Sequence, residues 1–364
     1  MVRKPGVNTP LFLAVVLLSS LGLIAVYSSS AILSAEVYGK SYFFFLKHFA
    51  YVAAGLALLS WALLCRFDFY RHPLFIYGLY GLSLLLLLAT LNSPIINGTQ
   101  RWLRVGPFSF QPSELAKLSL IIVLAHYLTL KKELLSKGYQ VLAIPAVLVA
   151  LVFLLILKQP DLGTAFIVLA ISGVMFFVAG INFKYVAWVM TAFVASVVGM
   201  ICFYDYARAR IVALFDYEAD PLGKGFQIVQ SLIALGSGGM GGVGLGDSTQ
   251  KLYFLPYAHT DFIFAVIGEE MGFLVAFPVL LLYLVVMIQG YRAAINAPDM
   301  QQMLIATGIT TWIFSQAMLN ISVVIGIFPP KGITLPFISS GGSSLLVLLF
   351  AAGILIRVAS GKAK

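Results

Sequence analysis

Long apolar runs alternate with short polar breaks along almost the whole chain. Ten of them have the length and composition to cross a bilayer: Leu11–Leu33, Phe43–Cys65, Pro73–Leu91, Leu115–Leu130, Val141–Leu157, Leu162–Ala179, Tyr185–Tyr204, Phe262–Gln289, Met303–Phe328 and Ser344–Val358. About 20 such residues in a helix span the roughly 30 Å hydrocarbon core. Leu11–Leu33 follows Arg3 and Lys4, as a signal peptide would. Its apolar stretch exceeds the roughly 7–15 residues of a signal core, so it is read as an uncleaved first helix. The pattern predicts an all-α polytopic membrane protein, one domain over residues 1–364, with a large loop between the seventh and eighth spans.

Ten crossings put both termini on one side. With the N-terminus cytoplasmic, the inner segments carry Arg3/Lys4, Arg66/Arg71, Lys131/Lys132/Lys137, Lys184, Arg292 and Arg357/Lys362/Lys364, about half of the 23 basic residues. Short basic segments of this kind set orientation. The extended connections at about 92–114, 205–260 and 326–343 then face outward. The second, about 55 residues, is too long for a passive connector in a compact bundle.

Composition removes the soluble alternative. The chain is 61% hydrophobic and 10% charged, with a mean hydropathy of +0.99, against about 45–50% and 25% for globular domains. Two cysteines and four histidines argue against a disulfide scaffold or a histidine–cysteine metal centre. The net charge of +9 fits membrane orientation. No basic cluster is dense enough to track phosphates, so nucleic acid is not an expected partner.

The scarce charges are distributed unevenly. Glu114, Asp161 and Asp261 each open a span at its outward end, on three different helices. Arg101, Arg104, Lys158 and Lys331 lie at the same level, and Lys117 is one turn below Glu114. Any one of the acids could simply complement a helix dipole. Three acids and several bases at one end instead point to a polar cavity, because charges at membrane depth face a cavity or one another. Glu114 and Lys117, three apart, share a helix face and can pair. Gln316 and Asn320 form a polar stripe, equally suited to bonding between helices or to lining the cavity. Arg101 and Trp102 could hold a phosphate and stack on a sugar, although an interfacial Trp needs no such role. Glu269 and Glu270 lie roughly 12 Å below Asp261 at 1.5 Å per residue, and one of them is expected either to pair with a buried base or to be protonated, in a structural role. Gly236–Gly241 fits the GxGxxG pattern without a βαβ unit around it, so tight turns and close packing are the expected use of these glycines. His259 is an acid–base candidate by residue type.

These residues fall into blocks. Gln250-Lys-Leu-Tyr-Phe-Leu-Pro-Tyr-Ala-His259-Thr260-Asp261-Phe-Ile-Phe-Ala-Val-Ile-Gly-Glu269-Glu270-Met-Gly272 resembles the hallmark of the SEDS proteins (shape, elongation, division and sporulation). Three further blocks agree: Arg101-Trp102 followed by Gln111-Pro-Ser-Glu114-Leu-Ala-Lys117, Lys158-Gln-Pro-Asp161-Leu-Gly163, and Leu335 to Ser344, which includes Ser343. Asp220–Gln227, preceded by Arg208 and Arg210, also matches. The blocks follow family order over nearly the whole chain. Tyr257 stands where an acid is common, and Ser340 where Tyr is common.

The resemblance implies a peptidoglycan glycosyltransferase that polymerises lipid II, closer to the division-type than to the elongation-type members. Asp261 carries over as the key aspartate and is the candidate general base. Arg101, Lys117, Arg208 or Arg210 would face the leaving pyrophosphate, with a divalent cation (Mg or Mn) near Asp261 as the alternative. Trp102, Glu114, Lys158, Asp161, His259, Thr260, Gln316, Asn320, Lys331 and Ser343 complete the expected substrate site. The expected partners are a class B penicillin-binding protein and other membrane proteins of the division or elongation complexes. A lipid flippase or transporter and a non-catalytic scaffold remain the rivals. A flippase predicts polar groups along a whole path and paired repeats, and a scaffold predicts indifference to loss of Asp261.

Overall fold

The computed structural model describes residues 7–94, 99–106, 108–134, 142–203, 225–251, 255–329 and 332–361. Twelve α-helices are present among them: α1 (Thr9–Tyr38), α2 (Phe43–Leu64), α3 (Pro73–Thr90), α4 (Pro112–Leu130), α5 (Ala143–Lys158), α6 (Leu162–Val178), α7 (Phe183–Phe203), α8 (Phe226–Gly238), α9 (Ile263–Met271), α10 (Phe273–Ile295), α11 (Met300–Val324) and α12 (Ser343–Ala359). Six of these, α1–α4, α10 and α11, are long and apolar enough to cross a membrane, and α5, α6, α8 and α12 are shorter apolar helices.

Local chemistry sets the ends. The Asn8 side chain accepts the Leu11 amide at 3.1 Å and starts α1, and left-handed Gly39 stops it. Prolines open α3 and α4, where the missing N–H would be unpaired in any case. The helices are apolar all round, which suits a bundle whose outer surface meets lipid. The central helices α4 and α11 are buried over most of their surface, whereas α2, α3 and α10 leave large apolar residues such as Leu64, Leu74 and Leu274 facing outward. Small residues bring helices close, as expected in lipid. A Cβ at Gly353 of α12 would lie 2.6 Å from the Leu59 carbonyl oxygen of α2.

Nine of the ten apolar runs each fall on one helix, and the tenth does not. Phe262–Gln289 is two helices, α9 and α10, separated at Gly272 (φ 68°, ψ −173°). A broken backbone ladder inside an apolar bundle would leave polar groups stranded at a cost of several kcal/mol each. The segment after α8 prevents that. The amides of Val243 and Gly244 donate to the carbonyls of Glu269 and Glu270 at 2.9 and 3.1 Å, and those of Phe273 and Leu274 donate to the carbonyls of Gly239 and Met240 at 3.0 and 3.1 Å. Only glycine permits this approach: a Cβ at Gly238 would sit 2.0 Å from the Gly268 carbonyl oxygen, and one at Gly242 2.2 Å from that of Glu270.

The described part of the 205–260 connection is therefore not simply an outward loop. α8 starts beside the end of α11, where the Ser231 hydroxyl donates to the Val324 carbonyl at 2.7 Å, and descends alongside α9 to the helix break. The 92–114 connection forms an antiparallel hairpin of β1 (Leu103–Val105) and β2 (Phe108–Phe110), pairing Arg104 with Ser109. It ends where the Gln111 amide donates to the Ser343 hydroxyl at 2.9 Å, tying the start of α4 to that of α12.

Gly238→Ala is expected to destabilise the fold by about 1–3 kcal/mol through overpacking. Gly236→Ala, with nothing near its Cβ, should be neutral or slightly stabilising. Thermal unfolding of the two purified variants checks this, and equal melting temperatures would contradict the clamp.

Candidate functional site

Glu114 and Lys117 occupy the first two turns of α4, and both side chains are almost completely buried. The Lys117 ammonium donates to Glu114 Oε1 at 2.8 Å and to Gln316 Oε1 at 2.7 Å, and lies 4.9 Å from the centre of the Trp312 ring. Gln316 also accepts the Trp312 indole N–H at 2.8 Å and donates to the Thr334 carbonyl at 3.1 Å. An isolated charge here would be prohibitively expensive, so the pair and its neutral partners form one unit. Lys117 is thus enclosed instead of facing an open cavity. Expected among the bases that meet the pyrophosphate, Lys117 in this structure turns its ammonium to Glu114 and Gln316.

One turn along α11, the Asn320 side-chain amide donates to the backbone carbonyl of Asp261 and to that of Ile333, both at 2.7 Å. Asp261 lies two residues before α9 and is partly exposed. α11 therefore connects the buried ion pair to the segment that presents Asp261. That segment is held from the other side as well: the Ser339 hydroxyl donates to the Thr260 carbonyl at 2.6 Å, and the Ser340 amide to that of His259 at 3.1 Å. The His259 ring packs 5.3 Å from Phe44, and burial pushes its imidazole below the ordinary range. Burial thus favours its neutral form.

Asp161, the expected helix-starting acid, does cap α6: its carboxylate accepts the Thr164 amide at 3.0 Å and hydroxyl at 2.8 Å. It also accepts from Arg101 at 3.3 Å, and Arg101 continues to the Gly332 carbonyl at 3.0 Å and to the Thr99 hydroxyl at 2.9 Å. Burial opposes the Asp161 charge, but Arg101 and the Thr164 donors outweigh it and hold the carboxyl below its usual range. Dipole complement and charge cluster are both realised at this residue. Trp102 is half-buried, and Arg104 and Lys158 are exposed. Arg208, Arg210 and Lys331 lie outside the described residues.

Several participants gave no signal by residue type alone. Thr99, Thr334, Ser339 and Trp312 enter through fold, not through spacing on one helix. Thr164 was legible in principle, as a hydroxyl three residues after a capping aspartate. Among the described residues no three His, Cys, Asp or Glu side chains group as metal ligands. Two buried oxygens at this end, Glu114 Oε2 and Asn320 Oδ1, have no hydrogen-bond partner there.

A family profile described as a cell cycle protein, covering FtsW, RodA and SpoVE, matches residues 9–364. The chain belongs to this SEDS family. The chain is 38% identical over 363 residues to stage V sporulation protein E of Bacillus subtilis strain 168, covering 98% of each. It is 37% identical over 357 residues to a probable peptidoglycan glycosyltransferase FtsW of Geobacter metallireducens, covering 96% of this chain and 94% of that one. Among solved structures, a chain of a peptidoglycan synthase complex that coordinates polymerization and crosslinking superposes with a TM-score of 0.79 at 32% identity, over 97% of this chain and 98% of that one. RodA of Thermus thermophilus superposes at 0.67 with 26% identity, over 99% of both chains. Of the two positions that depart from the SEDS pattern, Tyr257 adopts a left-handed conformation (φ 61°) in the turn before His259, and Ser340 contributes its backbone amide.

Lys117→Met leaves Glu114 charged and unpaired, and is expected to cost about 3–5 kcal/mol. Adding Glu114→Gln should restore most of that loss. Melting curves in detergent test this, and equal melting temperatures for single and double variants would contradict a charged buried pair.

Proposed function

We propose that this SEDS protein polymerises lipid II at the outer face of the bacterial cytoplasmic membrane, with both termini cytoplasmic, in a division-type role. The carrying observation is the position of Asp261: partly exposed, anchored through its backbone to α11, at the same end as the Glu114–Lys117 and Arg101–Asp161 pairs. The polymerase reading rests on the family and on relatives named as peptidoglycan glycosyltransferases. The preference for division over elongation rests on the FtsW names among those relatives.

In the proposed reaction the 4-hydroxyl of the acceptor GlcNAc loses its proton to the Asp261 carboxylate as its oxygen bonds to the anomeric carbon of the donor MurNAc. The bond from that carbon to the phosphate oxygen breaks, and undecaprenyl pyrophosphate leaves. A positioned general base contributes typically 10²–10⁴-fold. Negative charge develops on the departing oxygen, and exposed Arg104 and Lys158 are the described bases suited to meet it. Arg101 is committed to Asp161 and Gly332, and orders the adjoining loops instead. Undecaprenyl tails stay in lipid between helices while the sugars reach the polar end. Hard divalent cations are held by one or two carboxylates together with phosphate oxygens. The oxygen-only donors here suit such an ion, which Asp261 would hold with the substrate and which would offset charge on the pyrophosphate. A class B penicillin-binding protein is the expected partner, supplying the transpeptidase that crosslinks the new strand.

With purified protein, labelled lipid II and that partner, wild type is expected to make glycan polymer. Asp261→Asn, folded to the same extent, should be at least about 10²-fold slower. Equal polymer from both would remove Asp261 as the base.

A further inference from the structure

Two charges with no part in the reaction above lie deep in the bundle. The Lys251 ammonium donates to Glu270 Oε1 at 2.8 Å, and both side chains are at least nine-tenths buried. The Ser28 hydroxyl of α1 donates to the same carboxylate at 2.6–2.7 Å, and Lys251 also donates to the Gly246 carbonyl at 2.6 Å. The neighbouring Glu269 carboxylate accepts the Ser248 hydroxyl at 2.5 Å and the Thr249 amide at 3.0 Å. This is the buried pairing expected for one of the two glutamates, but its base comes from the re-entrant segment, 19 residues away in sequence.

That separation has a geometric consequence. The Lys251–Glu270 contact closes a 19-residue loop, and Asp261 sits midway along it. Both arms are short, and their described parts are hydrogen-bonded. On one side the Leu255 amide donates to the Gln250 carbonyl at 2.8 Å, and on the other α9 is a single rigid helix of nine residues. A left-handed joint at Tyr257 (φ 61°) turns the first arm, and Gly272 (φ 68°) turns the chain just beyond the base. At the apex Asn320 of α11 holds the Asp261 backbone carbonyl, and Ser339 and Ser340 hold those of Thr260 and His259. At the base Lys251, together with Ser28 of α1, holds the other end of α9 through the Glu270 carboxylate.

We propose that Lys251 and Glu270 are positioning residues for Asp261: a buried ionic clasp that fixes the orientation of the loop whose apex carries the reactive carboxylate. Neither touches substrate. The inference rests on the reading of Asp261 as the base. Loss of the clasp therefore lowers turnover without weakening lipid II binding, because the cations proposed to meet the pyrophosphate lie on other elements.

The test uses the full-length protein with its partner. Lys251→Met/Glu270→Gln removes both charges together and strands neither. It is expected to lower kcat per folded enzyme by about tenfold, misplacement of a reacting group by about 1 Å being able to cost still more, with the KM for lipid II unchanged within about twofold. Hydrogen–deuterium exchange should rise across 255–262 and stay unchanged in α4 and α11. The reciprocal exchange Lys251→Glu/Glu270→Lys should recover at least half of the lost kcat. An unchanged kcat, or a loss of protection spread evenly over the bundle, would overturn the proposal. Exchange reads the clasp whatever Asp261 does: full activity in Asp261→Asn with faster exchange at 255–262 in the clasp variant would refute the base assignment, and the positioning role with it, while leaving the clasp as a feature of the fold.

Discussion

Polar groups carried into an apolar bundle must find one another, and in this protein that requirement organises the end that carries Asp261. α11 supplies the means. Two amide side chains one turn apart face opposite problems: Gln316 completes the coordination of the buried Lys117 ammonium, and Asn320 holds the carbonyl of Asp261. A buried charged pair at the start of α4 is thereby linked, through α11, to the backbone of partly exposed Asp261 on a different segment. The Thr334 and Ile333 carbonyls complete the same two amides, so the loop before α12 is drawn into the arrangement.

The second constraint acts on the backbone. A helix interrupted within the membrane loses the bonds that make helices tolerable there. Here the glycine-rich segment after α8 replaces them from the side, with the two glutamates at the break turned to hold the same segment by its side chains and amides. The break makes α9 a separate nine-residue helix, with Asp261 two residues before its start. The placement of Asp261 and the satisfaction of the backbone are thus solved by one structure. Small changes at Gly238, Gly242 or Gly272 bear on both.

Much of this was legible in the amino-acid order. The apolar runs located the helices closely, because each is long and nearly free of charge. Glu114 and Lys117 were recognisable as a pair from their three-residue spacing, a regularity that a helix converts directly into contact. Asp161 was recognisable as a helix start. The interruption at Gly272 was not, since hydropathy runs smoothly through it and no proline marks the spot. The signal available was two adjacent glutamates followed by glycine inside an apolar stretch, together with glycines at 236–246 seeking a close neighbour. α8 escaped notice because thirteen residues are too few to cross a bilayer. The Lys251–Glu270 and Arg101–Asp161 pairs join segments far apart in sequence, and no periodicity on a single element encodes them. Enclosure of Lys117 was equally hidden, because it depends on Trp312 and Gln316 from another helix.

The most direct test of the account is a high-resolution structure of the protein with a donor and an acceptor lipid II bound and turnover blocked. The account predicts the acceptor 4-hydroxyl within hydrogen-bonding distance, about 3 Å, of the Asp261 carboxylate, with the donor pyrophosphate on the side of Arg104 and Lys158. Sugars seated at the opposite end of the bundle, where Arg71 pairs with Asp299 at the start of α11, or a different side chain against that hydroxyl, would contradict it.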